Sequence, residues 1–165
     1  MTTRPRLNID SYIKDGFEHV CDIKEYQGTW HYFNQGRYMY DPHTSWVYAI
    51  TNNRLIEKIG ESGNPLGIRG TGLQPKSGST SRLGRYSTGS GTDKFVRDGL
   101  QSAIQAGNQV SIWAKKCAII EYPTTIDGMP TVVNSAVHKE LEKIYLDYIK
   151  KGNAGNYPNL NKGRA

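Results

Sequence analysis

The 165-residue chain contains only two cysteines, three methionines and three phenylalanines. It has no apolar run near the eighteen or more residues that span a bilayer. Cys21 and Cys117 lie far apart and outside any Cys-x-x-Cys context, which argues against a zinc ribbon and against a disulfide scaffold. The four histidines, His19, His31, His43 and His138, lack the i, i+4 pairing around a glutamate that marks a helical metal site. No basic, apolar and small-residue succession at the N-terminus reads as a secretory signal, so the expected location is the cytoplasm. Acidic residues are short as well, with 15 Asp and Glu against 21 Lys and Arg, for a net charge of +6. That balance favours a polyanionic partner, because cations that neutralise phosphates release condensed counterions.

The length suits one well-buried domain. Residues 1 to 44 form an aromatic-rich extension, with Trp30, Tyr32, Phe33, Tyr38 and Tyr40 among glycines and polar residues. Two readings fit it: stacking on bases, or an edge strand that packs its tyrosines on the core. Residues 46 to 50 and 54 to 60 are rich in β-branched and apolar side chains around Asn52-Asn53, which predicts a β-hairpin. A two-residue loop there sets Tyr48 opposite Glu57, and a three-residue loop including Arg54 sets it opposite Lys58, so a site that uses both side chains predicts the odd-length loop or a bulge.

Residues 60 to 91 carry half of the eighteen glycines and no apolar period, which predicts a long loop with a helical turn near residues 81 to 86. No Gly-Lys-Ser or Gly-Lys-Thr follows the glycines, so the loop is not a nucleotide phosphate cradle. Seven Lys or Arg against two acidic residues lie between positions 58 and 97. Asp93 opens a helix with Val96, Leu100, Ala103 and Ile104 on one face, ended by Gly107. Two strands are expected next, one alternating Val110, Ile112 and Ala114, the other spanning 118 to 122. After a Pro-containing loop, Asn134 or Ser135 opens a last helix whose predicted buried stripe is Val137, Leu141, Ile144, Tyr145 and Tyr148. The expected class is α/β or α+β, a small mixed or antiparallel central sheet flanked by helices.

Five segments carry a more specific signal: Trp46-Val47-Tyr48-Ala49-Ile50, Lys58-Ile59-Gly60-Glu61-Ser62, Arg82-Leu83-Gly84-Arg85-Tyr86, Leu141-Glu142-Lys143-Ile144-Tyr145-Leu146 and Pro158-Asn159-Leu160-Asn161. In this order they resemble the GIY-YIG nuclease superfamily, across residues 45 to 162. Where the family has Gly-Ile-Tyr the chain has Trp46-Val47-Tyr48, where it has Tyr-Ile-Gly the chain has Lys58-Ile59-Gly60, and Tyr86 stands in the place of a histidine. The Lys58 and Tyr86 exchanges look like the restriction and phage endonuclease branch.

The resemblance implies a GIY-YIG nuclease fold over residues 45 to 165, with the Gly-rich segment 60 to 91 as an insertion. It also implies a Mg2+- or Mn2+-dependent endonuclease acting on double-stranded DNA, of the type II restriction kind, with a second subunit completing a symmetric site. Tyr48 would be the general base, its phenolate favoured by Lys58. Arg82 would bridge phosphate oxygens through its planar fork, with Arg69 as the rival for that place. Tyr86 would contact the phosphate or the attacking water. Glu142 would be the metal ligand, and helical periodicity leaves Glu140 open as the alternative. Asn161 would hold a backbone carbonyl or position the helix that carries the glutamate. Arg69, Lys76 and Arg85 would contact the DNA backbone.

Overall fold

The computed structural model describes residues 5–63, 66, 86 and 92–161. A 3-10 turn (Pro5–Leu7) and a short helix α1 (Asp10–Ile13) precede four strands, β1 (Glu18–Tyr26), β2 (Thr29–Phe33), β3 (Trp46–Asn52) and β4 (Leu55–Ser62). Helix α2 (Thr92–Gln105), strands β5 (Val110–Lys116), β6 (Glu121–Ile126) and β7 (Met129–Asn134), and helix α3 (Val137–Lys151) follow. Five strands form one sheet in the order β2-β1-β5-β3-β4, and β6 and β7 form a separate two-stranded ribbon. All pairings in the five-stranded sheet are antiparallel, so the mixed arrangement left open by the sequence is not adopted. Residues 18 to 33, read from the sequence as part of an extension, supply two of its strands.

Strand β3 is buried at every position before its last, because β4 and β5 flank it and both faces are covered. That explains its near-continuous apolar run. On one face, Tyr48, Ile50 and Ile112 pack with Val96, Leu100 and Ala103 of α2. On the other, Val47, Ala49 and Ile59 pack with Tyr145, Leu146 and Ile149 of α3 and with Ile9, Tyr12 and Phe17. Fully burying such a side chain contributes about 1.5–3 kcal/mol. Helices of 14 and 15 residues are marginal alone, so this packing is what holds them. Gly107, at φ +82°, ends α2 in the left-handed conformation, and Asn108 N–H closes the last turn on the Ala103 carbonyl at 3.1 Å. Among the described residues no helix is long and apolar enough to cross a membrane.

The β3–β4 hairpin departs from both sequence-based registers and takes the expected bulge in place of an odd-length loop. Its loop is Asn53-Arg54, both at positive φ, with Asn52 paired to Leu55. Asn53 tolerates that conformation because its side-chain Oδ1 accepts the Gln109 N–H at 2.8 Å, and Arg54 is held by the Ile9 N–H on its carbonyl at 3.0 Å. A bulge then lets Glu57 fall between the pairs Thr51–Ile56 and Ile50–Lys58. Tyr48 consequently lies opposite Gly60, neither Glu57 nor Lys58. Without the extra residue, the side-chain alternation would send Lys58 and Gly60 to the far face; with it, both share the Tyr48 face.

Two further expectations change. The segment read as a single strand at 118 to 122 followed by a Pro-containing loop is the β6–β7 hairpin, turned by Asp127-Gly128. An Asp-Gly pair between alternating residues is its signal. The last helix begins at Val137, because Asn134 still belongs to β7. Its buried stripe is Glu142, Tyr145, Leu146 and Ile149. Ile144 is exposed, and Tyr148 is covered in part by the Arg6 guanidinium stacked 4.3 Å from its ring centre.

Candidate active site

Strand β4 organises the site. Tyr48 reaches toward it from the central strand β3, and its ring lies over Gly60, where a Cβ would overlap the phenol carbons and hydroxyl. The sequence presents Gly60 only as a match to a pattern; in three dimensions it is the gap that lets the tyrosine lie flat across the edge strand. Lys58 is on the same face, diagonal to Tyr48 in the ladder and half-buried. Diagonal neighbours stand roughly 7–8 Å apart, within reach of a lysine stem.

The Tyr48 hydroxyl is hydrogen-bonded to the hydroxyl of Tyr86, and the two rings meet edge to face with centroids 6.2 Å apart. Both residues are buried. A contact across 38 positions thus joins the segments that carry the first and third parts of the sequence pattern. The remaining candidates in that loop, Arg69, Lys76, Arg82 and Arg85, lie outside the described residues, as does the helical turn expected there apart from Tyr86.

Asn161 approaches β4 from its outer edge. Its Oδ1 accepts the Ile59 N–H at 2.9 Å and its Nδ2 donates to the Ile59 carbonyl at 2.7 Å. The side-chain amide thereby substitutes for a neighbouring strand. Leu160 N–H adds a bond to the Glu57 carbonyl at 2.7 Å, at the bulge, and Asn159 Nδ2 reaches the Glu57 carboxylate at 2.9 Å. Leu160 also fills the space above Gly99 of α2. The C-terminal segment is therefore a wedge between α2 and the edge of β4, and it covers a strand edge that would otherwise be open. Of the two roles expected for Asn161, the amide takes the hold on a backbone carbonyl, that of Ile59, on the strand that carries Lys58 and Gly60.

The two glutamates separate cleanly. Glu140 is exposed and pairs with Lys143 one turn along, at 3.4 Å. Glu142 is buried at 4% exposure, in the middle of the stripe that faces the sheet. The periodicity argument for Glu140 therefore fails: the helix is rotated so that Glu142 points inward. Carboxylates are seldom buried without a partner that offsets the lost hydration. Helix α3 covers the face opposite Tyr48, so Tyr48 and Glu142 approach β4 from its two faces.

The first turn of α3 is tied to the end of β4 by a contact that the sequence did not disclose. His138 Nε2 lies 3.2 Å from the Glu61 carboxylate, and its Nδ1 lies 3.1 Å from the Ser45 hydroxyl. Since 77 positions separate Glu61 from His138, no local pattern signals the pair. It fixes the helix one turn before Glu142, beside the residue that follows Gly60. Among the described residues no three His, Cys, Asp or Glu side chains cluster as a metal cage. A single carboxylate fits a different kind of site, in which waters and substrate oxygens complete the coordination of a hard divalent cation.

No family profile and no curated protein sequence matches the chain. Among solved structures, it is similar to the restriction endonuclease HPY188I in complex with product DNA, at a TM-score of 0.47 and 18% identity over 96% of this chain and 95% of that one. It is also similar to a mutant of EndoII from bacteriophage T4, at a TM-score of 0.60 and 14% identity over 87% of this chain and 95% of that one. The likeness to EndoII is one of fold: an antiparallel sheet flanked by helices.

Proposed function

We propose that this chain is a Mg2+- or Mn2+-dependent endonuclease of the GIY-YIG superfamily that hydrolyses phosphodiester bonds in double-stranded DNA, as a sequence-specific type II restriction enzyme. The observation that carries the reading is the hydroxyl pair of Tyr48 and Tyr86 over Gly60, which gathers three parts of the five-part sequence pattern at one point. Asn161, from the fifth part, clamps the neighbouring Ile59. The shared fold with EndoII and the net charge of +6 support the same reading.

In this scheme Tyr48 takes the proton from the attacking water, and Lys58 on the same sheet face stabilises the phenolate. Tyr86 shares its hydroxyl with the phosphate or the water once DNA displaces part of the tyrosine pair. Arg82 supplies the guanidinium that bridges the nonbridging oxygens. Glu142 would hold the divalent ion, which when bound would neutralise charge on the phosphate and the departing alkoxide. Because Glu142 and Tyr48 flank β4 from two faces and the C-terminal segment covers its outer edge, they act on one phosphate only where it passes the end of that strand, beyond Gly60 and Glu61. Two copies would cut a symmetric site.

The test is cleavage of plasmid DNA in Mg2+ by the wild-type chain and by Tyr48→Phe, Glu142→Gln and Glu140→Gln. The first two abolish cutting while duplex affinity in Ca2+ stays nearly unchanged, and Glu140→Gln cuts normally. Bound Mn2+ broadens the Gly60 amide resonance in the wild type and leaves it sharp in Glu142→Gln. Cutting that survives in EDTA, or in either of the first two variants, overturns the reading; binding without any cutting identifies a noncatalytic DNA-binding module.

A further inference from the structure

The β6–β7 hairpin is an arm with an uncovered apolar face. Its register places Tyr122 opposite Val133, Thr124 opposite Thr131 and Ile126 opposite Met129, all on one side. The four apolar members of that face are 48% to 67% exposed, the most exposed lying at the tip. An isolated two-stranded ribbon is marginal in water, and one that leaves its apolar side wet gives up the burial that would stabilise it. The arm is nonetheless closed at its base. Ser135 N–H closes its base on the Ile120 carbonyl at 2.7 Å, and Cys117 N–H bonds the Ser45 carbonyl at 2.9 Å where the arm leaves the sheet.

We propose that this face is the surface by which two copies of the chain pair, each arm lying against the basic body of the other. Charge selects the occupant. Residues 118 to 135 contain Glu121 and Asp127 and no Lys or Arg, within a chain of net charge +6. An arm without cations cannot neutralise phosphates, so neither a duplex nor an anionic membrane surface suits it. The basic body of an identical chain does suit it, and reciprocal exchange of two arms closes a two-fold dimer. Pro123 and Pro130 decide between edge and face. In a hairpin with a two-residue loop their nitrogens point outward, so each outer edge lacks a donor. Strand addition to either edge is blunted, and the face remains as the surface to bury. The inference gives the pairing of copies named above its surface, and its test is independent of cleavage because assembly is measured without DNA.

Sedimentation velocity of the full chain is expected to show a species of twice the chain mass at micromolar concentration. Ile126→Asp and Met129→Ser each weaken that association by about tenfold or more, as removal of a central contact does. Thr125→Ser, on the opposite face of the arm, leaves it unchanged. Asp127→Lys, in the turn at the tip, weakens it as well, and added salt weakens the wild-type dimer. These positions are exposed, so circular dichroism stays at the wild-type value, as does melting temperature at dilutions where the wild type is itself monomeric. A chain that remains monomeric at high micromolar concentration overturns the proposal. So does a dimer indifferent to all the arm substitutions, and so does a monomer whose arm variants lose duplex affinity, which makes the arm a DNA contact.

Discussion

The phenol ring of Tyr48 occupies the space that a side chain at Gly60 would need. One consequence is that position 60 admits glycine alone without displacing the tyrosine. Gly60→Ala forces the Tyr48 ring off the strand and out of register with Tyr86. Overpacking of this kind costs about 1–3 kcal/mol, and at this chain length each kcal/mol lowers the melting temperature by about 2–4 °C. Calorimetry measures the drop, and plasmid cleavage falls further than the stability loss explains. An unchanged melting temperature would mean that the ring does not lie where the structure has it.

The hydroxyl pair makes a separate prediction. Tyr48→Phe and Tyr86→Phe each delete one side of the same hydrogen bond, so their effects on stability are not additive. A double-mutant cycle by urea denaturation should return a coupling of about 0.5–1.5 kcal/mol. Additive losses would show that the two hydroxyls do not depend on each other. The cycle does not require activity, so it tests the geometry even if no DNA is cut.

Much of this arrangement was readable in the chain because it is local. The helix from Asp93 to Gly107 follows from apolar spacing and a terminal glycine, and the hairpin around residue 53 follows from β-branched runs. What sequence left open was rotation and register. Apolar residues on α3 define two overlapping stripes, and only the sheet's choice of Leu146 and Ile149 turns Glu142 inward. In β4, the bulge at Glu57 reverses which face Lys58 and Gly60 occupy, and it depends on Leu160 and Asn159 arriving from the far end of the chain. The β6–β7 arm was legible in principle, since Asp127-Gly128 is a strong turn signal, but its prolines read as loop.

Asn161 ties that far end to the site. Its amide satisfies both backbone groups of Ile59, so Asn161→Ala removes two buried hydrogen bonds and frees the edge of β4. Each unsatisfied buried group costs about 1–3 kcal/mol, reduced here by water that can reach an edge strand. Amide exchange at Ile59 is expected to speed up by at least about tenfold, with little change at Ile50 in the central strand. Asn161→Asp retains the acceptor for Ile59 N–H and sets a carboxylate against its carbonyl, so it is no better tolerated. Equal protection of Ile59 in the wild type and in Asn161→Ala would remove Asn161 from any positioning role.

Acid should loosen the other end of the sheet first. Asp22 is buried where β1, β5 and the residue after β2 meet. Burial pushes its carboxyl up, but hydrogen bonds from the Ser111 hydroxyl at 2.6 Å, the Asn34 amide at 2.8 Å and His19 at 2.7 Å outweigh that and hold it below the ordinary carboxylate value. A group whose pKa is lower folded than unfolded contributes stability that is complete above the unfolded value, about 3.9, and is lost as pH falls through the folded one. Asp22→Asn removes the charge at every pH. The difference in unfolding free energy between wild type and variant therefore shrinks in the acid range below the unfolded value. Urea titrations at a series of pH values measure it. A difference that stays constant down to the acid limit of the folded state would show that the three hydrogen bonds do not favour the ionised carboxylate, and that β1 is held to β5 by its backbone ladder and apolar packing alone.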